Sequence, residues 1–155
     1  MAPTDRTVFP TTPRSILISG NNVQTFKVGA TAVKAGMVVS ISAAGADFTV
    51  IPCVAEAGCC PVGVAIADGA LGQQVAVACI GCIARVSNYS TDVDYDAGDY
   101  MVPNDAMTPN GGTVIIASGN PMQQLVGRLI EDSTGANLTL DAMLVLCGGV
   151  INVHA

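Results

Sequence analysis

Two cysteines, Cys79 and Cys82, have the Cys-x-x-Cys spacing of redox motifs and zinc knuckles. Those motifs hold the pair at a helix start or in a tight knuckle, where both sulfurs can meet. The residues around this pair are instead typical of a β-strand, in which positions three apart face opposite sides about 10 Å apart. The sequence contains no second knuckle, and its single histidine is His154. We therefore predict that the two sulfurs share no metal.

All six cysteines are interpreted as small apolar residues, and no cofactor is predicted. Disulfides that form outside a reducing cytoplasm stay open as an alternative.

The acidic segment from Asp92 to Asp99 has aspartates at alternate positions, as a calcium-binding loop does. Its glycine comes one residue late, and Pro103 stands where the loop needs a glutamate. We interpret the segment as a solvated connection, with a weak cation site as the alternative. The sequence also contains no Gly-x-Ser-x-Gly elbow and no phosphate-binding glycine loop. Nothing in these patterns predicts an enzyme.

A β-hairpin is predicted from Pro61 to Val86, and the rest of the chain is arranged around it. Residues Val62–Ala67 alternate between β-branched and small side chains, and Asp68-Gly69 supplies a turn. The following segment, Val75–Val86, is again rich in valine and isoleucine. We expect these two segments to pair antiparallel.

The same arrangement returns later in the chain. Gly63 aligns with Gly127 in a Val-Gly motif, and Gly36 aligns with Gly98 in an Ala-Gly motif, so Leu125–Ile130 should pair with Leu138–Leu146. This indicates repeat units of about residues 34–86 and 96–146. We expect an all-β, compact, barrel- or sandwich-like domain over residues 19–155, built from two related hairpin units.

Composition limits the classes of partner. Half of the 155 residues are hydrophobic and only 12% are charged, whereas about a quarter is usual, so we expect assembly to cover much of the surface. The net charge of −6 argues against nucleic acid or an anionic membrane as the partner. No apolar segment approaches the roughly 20 residues of a membrane span, and no secretory signal is expected, which favours folding in a cytoplasm.

The first 18 residues are predicted to form an extended N-terminal arm, since they carry three prolines and no regular period. A disordered tail is the alternative; the arm becomes a binding element if a partner orders it. The residues assigned to partner binding are Thr7, Val8, Phe9, Pro10, Arg14, Ile16, Leu17 and Ile18, with Phe9 and Ile16 expected to be the most buried.

Together, the Ala-Gly motif at Lys34–Val39, the Val-Gly motif of Pro61–Ile66 with its hairpin, and the second Ala-Gly motif at Asp96–Val102 resemble the capsid cement, or head decoration, proteins of tailed bacterial viruses. The resemblance covers residues 30 to 147. It implies a non-enzymatic homotrimer on the outer surface of the virion, assembled in the host cytoplasm, that binds the major capsid protein and stabilises the head. The alternatives are a tail or fibre component, the shell protein itself, or a cysteine-based metal or redox protein.

Overall fold

Every regular element in the described part of the chain is a β-strand. A computed structural model describes residues 16–42, 47–54, 60–89, 95–104, 112–116, 123–133 and 138–151. The strands are β1 (Leu17–Ser19), β2 (Val23–Val28), β3 (Val38–Ile41), β4 (Thr49–Pro52), β5 (Pro61–Ala65), β6 (Gln74–Ala78), β7 (Ile83–Tyr89), β8 (Tyr100–Pro103), β9 (Val114–Ile116), β10 (Gln123–Leu129) and β11 (Leu138–Ile151). Among the described residues, no helix is long and apolar enough to cross a membrane.

The first half of the domain is a closed five-stranded barrel with the strand order β2-β4-β3-β5-β6, here called the N-terminal barrel. Its strands pair antiparallel, except that β2 and β4 are parallel. Alternate residues point inward, as the pleat requires, and the barrel is filled by small and β-branched side chains. These are Val28, Val33, Val39, Val50, Ala65, Val75, Val77 and Cys79.

The second half repeats this plan in the order β7-β11-β10-β8-β9, here called the C-terminal ring. Its ends meet where β7 and β9 pair in parallel, Asn88 opposite Val114. The equivalent strands of the two halves are β2 and β7, β3 and β8, β4 and β9, β5 and β10, and β6 and β11. Each half contains one parallel pair at the same place in its ring. Strand β1 pairs with β7 outside the ring.

The Ala-Gly motifs form the same turn in both halves. Gly36 and Gly98 have positive φ angles of 91° and 100°, which suit glycine. The nitrogen of Ala35 donates to Asp68 Oδ1 at 2.8 Å, and that of Ala97 donates to Asp132 Oδ1 at 2.8 Å. These two turns therefore identify equivalent positions in the two halves.

The Val-Gly motifs mark a close approach of two strands. A Cβ at Gly63 would collide with the backbone oxygen of Ala78, and a Cβ at Gly127 would collide with that of Leu144. Both glycines are therefore required by the space between the hairpin strands.

The two halves pack against each other through a shared core. Val38 and Val64, on the outer face of the N-terminal barrel, lie in one cluster with interior residues of the C-terminal ring. Ser87 N donates to Gly36 O at 2.8 Å, and Val38 N donates to Gly112 O at 2.7 Å. These two bonds bring the turn and β3 of the N-terminal barrel against β7 and against Gly112, two residues before β9 begins.

The predicted all-β, barrel-like fold is confirmed, and both hairpins pair as expected: β5 with β6 and β10 with β11. The prediction of one continuous strand over 75–86 is wrong. It is divided at a turn over Cys79–Cys82, because Gly81 has a φ of 93° and Cys82 N donates to Cys79 O at 3.1 Å. The strand pairings thus group residues 23–78 and 83–151. The repeat boundaries read from the sequence remain an interpretation.

Replacing Gly63 or Gly127 by alanine should lower the free energy of unfolding by about 1–3 kcal/mol or more, because the strands must move apart. Gly72→Ala is the control: its φ is 80°, but nothing lies within 4 Å of the new Cβ, so only backbone strain is added. Urea denaturation measures all three variants. Equal losses in all three would contradict the close-approach argument.

The aspartate that holds each Ala-Gly turn should matter through its acceptor oxygen rather than its charge. Asp68→Ala and Asp132→Ala should each lower the free energy of unfolding by about 0.5–1.5 kcal/mol. Asp68→Asn and Asp132→Asn keep an acceptor and should lose less. Asparagine and alanine variants of equal stability would show that the bonds to Ala35 and Ala97 contribute nothing.

Candidate binding surfaces

Only the end of the predicted arm lies in the described part of the chain. Ile16 is buried in the core of its own domain, and its carbonyl accepts a bond from Arg85 N at 2.7 Å. Leu17 is half-buried and Ile18 is exposed, both in β1 against β7. These three residues therefore join the domain's own sheet.

The other residues assigned to partner binding lie outside the described residues: Thr7, Val8, Phe9, Pro10 and Arg14. Their role, and the boundary between arm and domain, stay predictions.

The cysteine pair lies in a turn between the two halves of the domain, not within one strand as expected. Cys79 belongs to the interior of the N-terminal barrel, whereas Cys82 belongs to the core shared with the C-terminal ring. The Cys79 thiol donates to Val77 O at 3.5 Å and the Cys82 thiol donates to Asn22 O at 3.4 Å. Each sulfur thus packs into a different cluster.

Burial raises the pKa of the Cys79 thiol. A hydrogen bond with the backbone of Gln24 lowers this pKa, and the nearby Cys82 raises it further. A raised pKa leaves less thiolate, the form that attacks disulfides and binds metals. Among the described residues, no three His, Cys, Asp or Glu side chains are placed to hold a metal ion. The arrangement around this pair is that of packed thiols.

Half of the predicted acidic segment can be placed. Asp92 and Asp94 lie outside the described residues, while Asp96 and Asp99 flank the Ala-Gly turn. Asp96 N donates to the Asp99 carboxylate at 2.8 Å, so that side chain caps its own turn. Asp96 and Asp132 are exposed and Asp99 is half-buried, so the turn at Gly98 carries three carboxylates.

One exposed patch of the C-terminal ring combines an aromatic ring with a cation. The guanidinium of Arg128 lies 4.7 Å above the centre of the Tyr100 ring, within the range of a cation–π interaction. Arg128 Nε also donates to Gly98 O at 2.7 Å. Tyr100 is 39% exposed and Ile130 is exposed beside them.

Phe48 is the most unusual surface residue of the N-terminal barrel. Its side chain is 78% exposed and its φ is 51°, a left-handed conformation that disfavours a residue with a Cβ. The equivalent position in the C-terminal ring is Gly112, whose φ is 81°. A strained, exposed aromatic residue is a candidate contact residue.

The sequence interpretation missed both Phe48 and the Tyr100–Arg128 pair. Tyr100 aligns with Val38 and Arg128 with Val64, so a comparison of the two repeats residue by residue would have found the pair. The conformation of Phe48 has no local sequence signal.

The interior of the C-terminal ring is more polar than that of the N-terminal barrel. Asn88 and Asp141 are fully buried, and Asn88 Nδ2 donates to Asp141 Oδ2 at 2.9 Å. Their equivalents in the N-terminal barrel are Val28 and Val75. The halves therefore share a backbone plan but not a core composition.

No protein-family model matches the sequence, and no curated protein matches it. Among solved structures, the chain is similar to the N-terminal base of the head fibre protein gp8.5 of bacteriophage phi29. The TM-score is 0.52 at 19% sequence identity, with 80% of this chain and 92% of that chain covered. This likeness shows a shared fold.

Proposed function

We propose that this protein is a capsid decoration, or cement, protein of a tailed bacteriophage. It binds the outer surface of an assembled head as a homotrimer and stabilises contacts between major capsid protein subunits. The observation that carries the proposal is the resemblance of the repeated Ala-Gly and Val-Gly motifs to head decoration proteins. The fold shared with the base of a phage head fibre and the sparse charge support a structural role in a virion.

Stabilising the head in this way requires binding and no chemical reaction. A protein that binds the assembled shell and not its separated subunits stabilises the shell by mass action. An extended arm suits this task, because it reaches a neighbouring subunit and can add a strand to a sheet edge. Ile16 and β1 hold the end of that arm on the domain.

The second candidate is the base of a head or tail fibre, a virion component that holds another segment on the particle. The head-fibre likeness favours it specifically. Both candidates are non-enzymatic. They differ in whether the isolated protein raises the stability of the shell.

Removing residues 1–14 should abolish binding to expanded, undecorated heads while leaving the β domain folded. The truncated chain keeps Ile16, whose removal would damage the core. Cosedimentation with heads measures occupancy, and thermal disruption of the heads measures stabilisation. Phe9→Ala in the full chain should also weaken binding, whereas Leu71→Ala, an exposed turn residue, is the matched control.

Each outcome of these experiments leads to a different conclusion. Full occupancy by the truncated chain would eliminate the arm as the clamp and leave the faces of the domain. Binding of the full chain without any rise in shell stability would favour the fibre base. No binding of the full chain to heads would overturn the proposed function.

A further inference from the structure

We propose that copies of this chain bind one another head to tail, by repeating the contact that joins the two halves of each chain. The acceptor surface lies on the C-terminal ring: Asp96, Gly98, Asp99, Tyr100 and Arg128. The docking surface lies on the N-terminal barrel: Lys27, Phe48 and Gln74. The inference deepens the self-association in the proposed function and does not depend on binding to a capsid.

The contact inside the chain joins two different surfaces. The N-terminal barrel contributes its Ala-Gly turn and the start of β3, at Gly36, Met37 and Val38. The C-terminal ring contributes Ser87 and Gly112, beside Leu140. A Cβ at Gly36 would lie 2.7 Å from Leu140 Cδ2, and one at Gly112 would lie 2.8 Å from Met37 Cβ, so the surfaces approach closely.

Such a contact is heterologous, and a heterologous contact leaves one surface of each kind unpaired at the two ends of the unit. The strand equivalence identifies them. On the C-terminal ring, Gly98, Asp99 and Tyr100 take the places of Gly36, Met37 and Val38. On the N-terminal barrel, Lys27, Phe48 and Gln74 take the places of Ser87, Gly112 and Leu140. Lys27, Phe48, Gln74 and Tyr100 are exposed, whereas Val38, Ser87 and Gly112 are buried.

The two open surfaces carry opposite charges that can pair, Lys27 with the acidic turn, and each also carries one charge of the other sign, Asp47 beside Phe48 and Arg128 over Tyr100. In the internal contact, Ser87 Oγ would lie 3.1 Å from a Cβ at Gly36. Lys27 holds the position of Ser87, and the turn that it would meet, at Gly98, is flanked by Asp96 and Asp99. The internal turn has Lys34 and Met37 at those positions, so the acidic pair occurs only where a lysine would face it.

The apolar groups are complementary as well. Phe48 holds the position of Gly112, which contacts Met37 and Val38 in the internal contact. In the contact between copies it would meet Tyr100, whose ring already carries Arg128. Aromatic pairing and burial of Phe48 would offset the strain of its left-handed backbone.

Three backbone groups of the open surfaces, Lys27 N, Phe48 O and Gly98 O, have hydrogen-bond partners within the chain. Lys27 N donates to Phe48 O at 2.8 Å, whereas the equivalent Ser87 N donates across the internal contact to Gly36 O. Gly98 O accepts from Arg128 Nε. Docking would exchange the Lys27–Phe48 bond for two bonds between copies, from Lys27 N to Gly98 O and from Tyr100 N to Phe48 O.

A heterologous contact forms a ring when its rotation closes and a filament when it does not. The homotrimer of the proposed function would contain three such contacts and leave no open surface. A closed ring has a fixed mass, whereas the mass of a filament grows with concentration.

Complementation of two defective variants tests the proposal. Phe48→Asp disables the docking surface and Tyr100→Asp disables the acceptor surface, each by placing a carboxylate in the contact. Each variant alone should be a 15.6 kDa monomer by light scattering after gel filtration. Their mixture should form a dimer and stop, because one intact surface of each kind remains. Ile80→Asp, at an exposed site on neither surface, is the control and should assemble like the wild type.

A charge exchange across the contact provides the second test. Lys27→Asp and Asp96→Lys should each raise the dissociation constant between copies by about 10- to 100-fold, and the double variant should recover most of the loss. If a carboxylate variant fails to fold, Phe48→Gly replaces Phe48→Asp and Asp96→Lys replaces Tyr100→Asp. Glycine and lysine already occupy the equivalent positions 112 and 34.

A wild-type protein that stays monomeric at its highest soluble concentration would overturn the proposal. Assembly that persists in both surface variants would overturn it too, as would a mixture that forms no dimer. Binding to heads is measured separately, so a self-associating chain that binds no heads would sink only the proposed function.

Discussion

The close backbone approach between the two halves is the constraint on which the structure depends. Gly36 and Gly112 lack the Cβ atoms that would collide with Leu140 and Met37. Because both side chains are absent, Ser87 N and Val38 N reach carbonyl oxygens of the opposite half. The turn of the N-terminal barrel thereby lies between β7 and the chain entering β9. This explains why, among the described residues, the pairing of β7 with β9 is the single pair Asn88 and Val114.

That approach also explains where the repeats differ in sequence. Val38 and Val64 are covered by the other half and are fully buried, while their equivalents Tyr100 and Arg128 face solvent. A pair of apolar side chains is stable when it is buried, and a cation stacked on an aromatic ring is stable when it is exposed to water. The strand pairing is the same at these positions, whereas the side-chain chemistry follows the local exposure.

The repeated glycine motifs allowed the barrel-like fold to be predicted, because each motif reports a backbone requirement. Gly36 and Gly98 need positive φ angles, and Gly63 has no space for a side chain. The turn at Cys79–Cys82 was missed, since the valine and isoleucine residues on both sides are typical of strands. Its local signals were Gly81 and the Cys-x-x-Cys spacing itself, which is typical of a tight knuckle.

The candidate surfaces were less predictable for a different reason. The exposure of Phe48 and the burial of Ile16 depend on which strands become neighbours, and strand order comes from contacts distant in sequence. Ile16 belongs to the proline-rich segment by composition, yet it packs in the core through the pairing of β1 with β7. Composition shows that the proline-rich segment differs from the rest of the chain. It does not show at which residue packing against the domain begins.

Two related halves with one heterologous contact have a consequence for function that neither half would have alone. The contact uses one surface of each half and leaves the other surface of each half unpaired. An isologous joint would have covered the same surface on both halves and left no such pair. Lys27 and Phe48 lie on one of these unpaired surfaces and Asp99 and Tyr100 lie on the other, in a chain that is poor in charged and aromatic residues as a whole. If copies dock as proposed, Lys27 meets the turn beside Asp99, so side-chain charge as well as the shape of the backbone would select the surface on which a second copy binds.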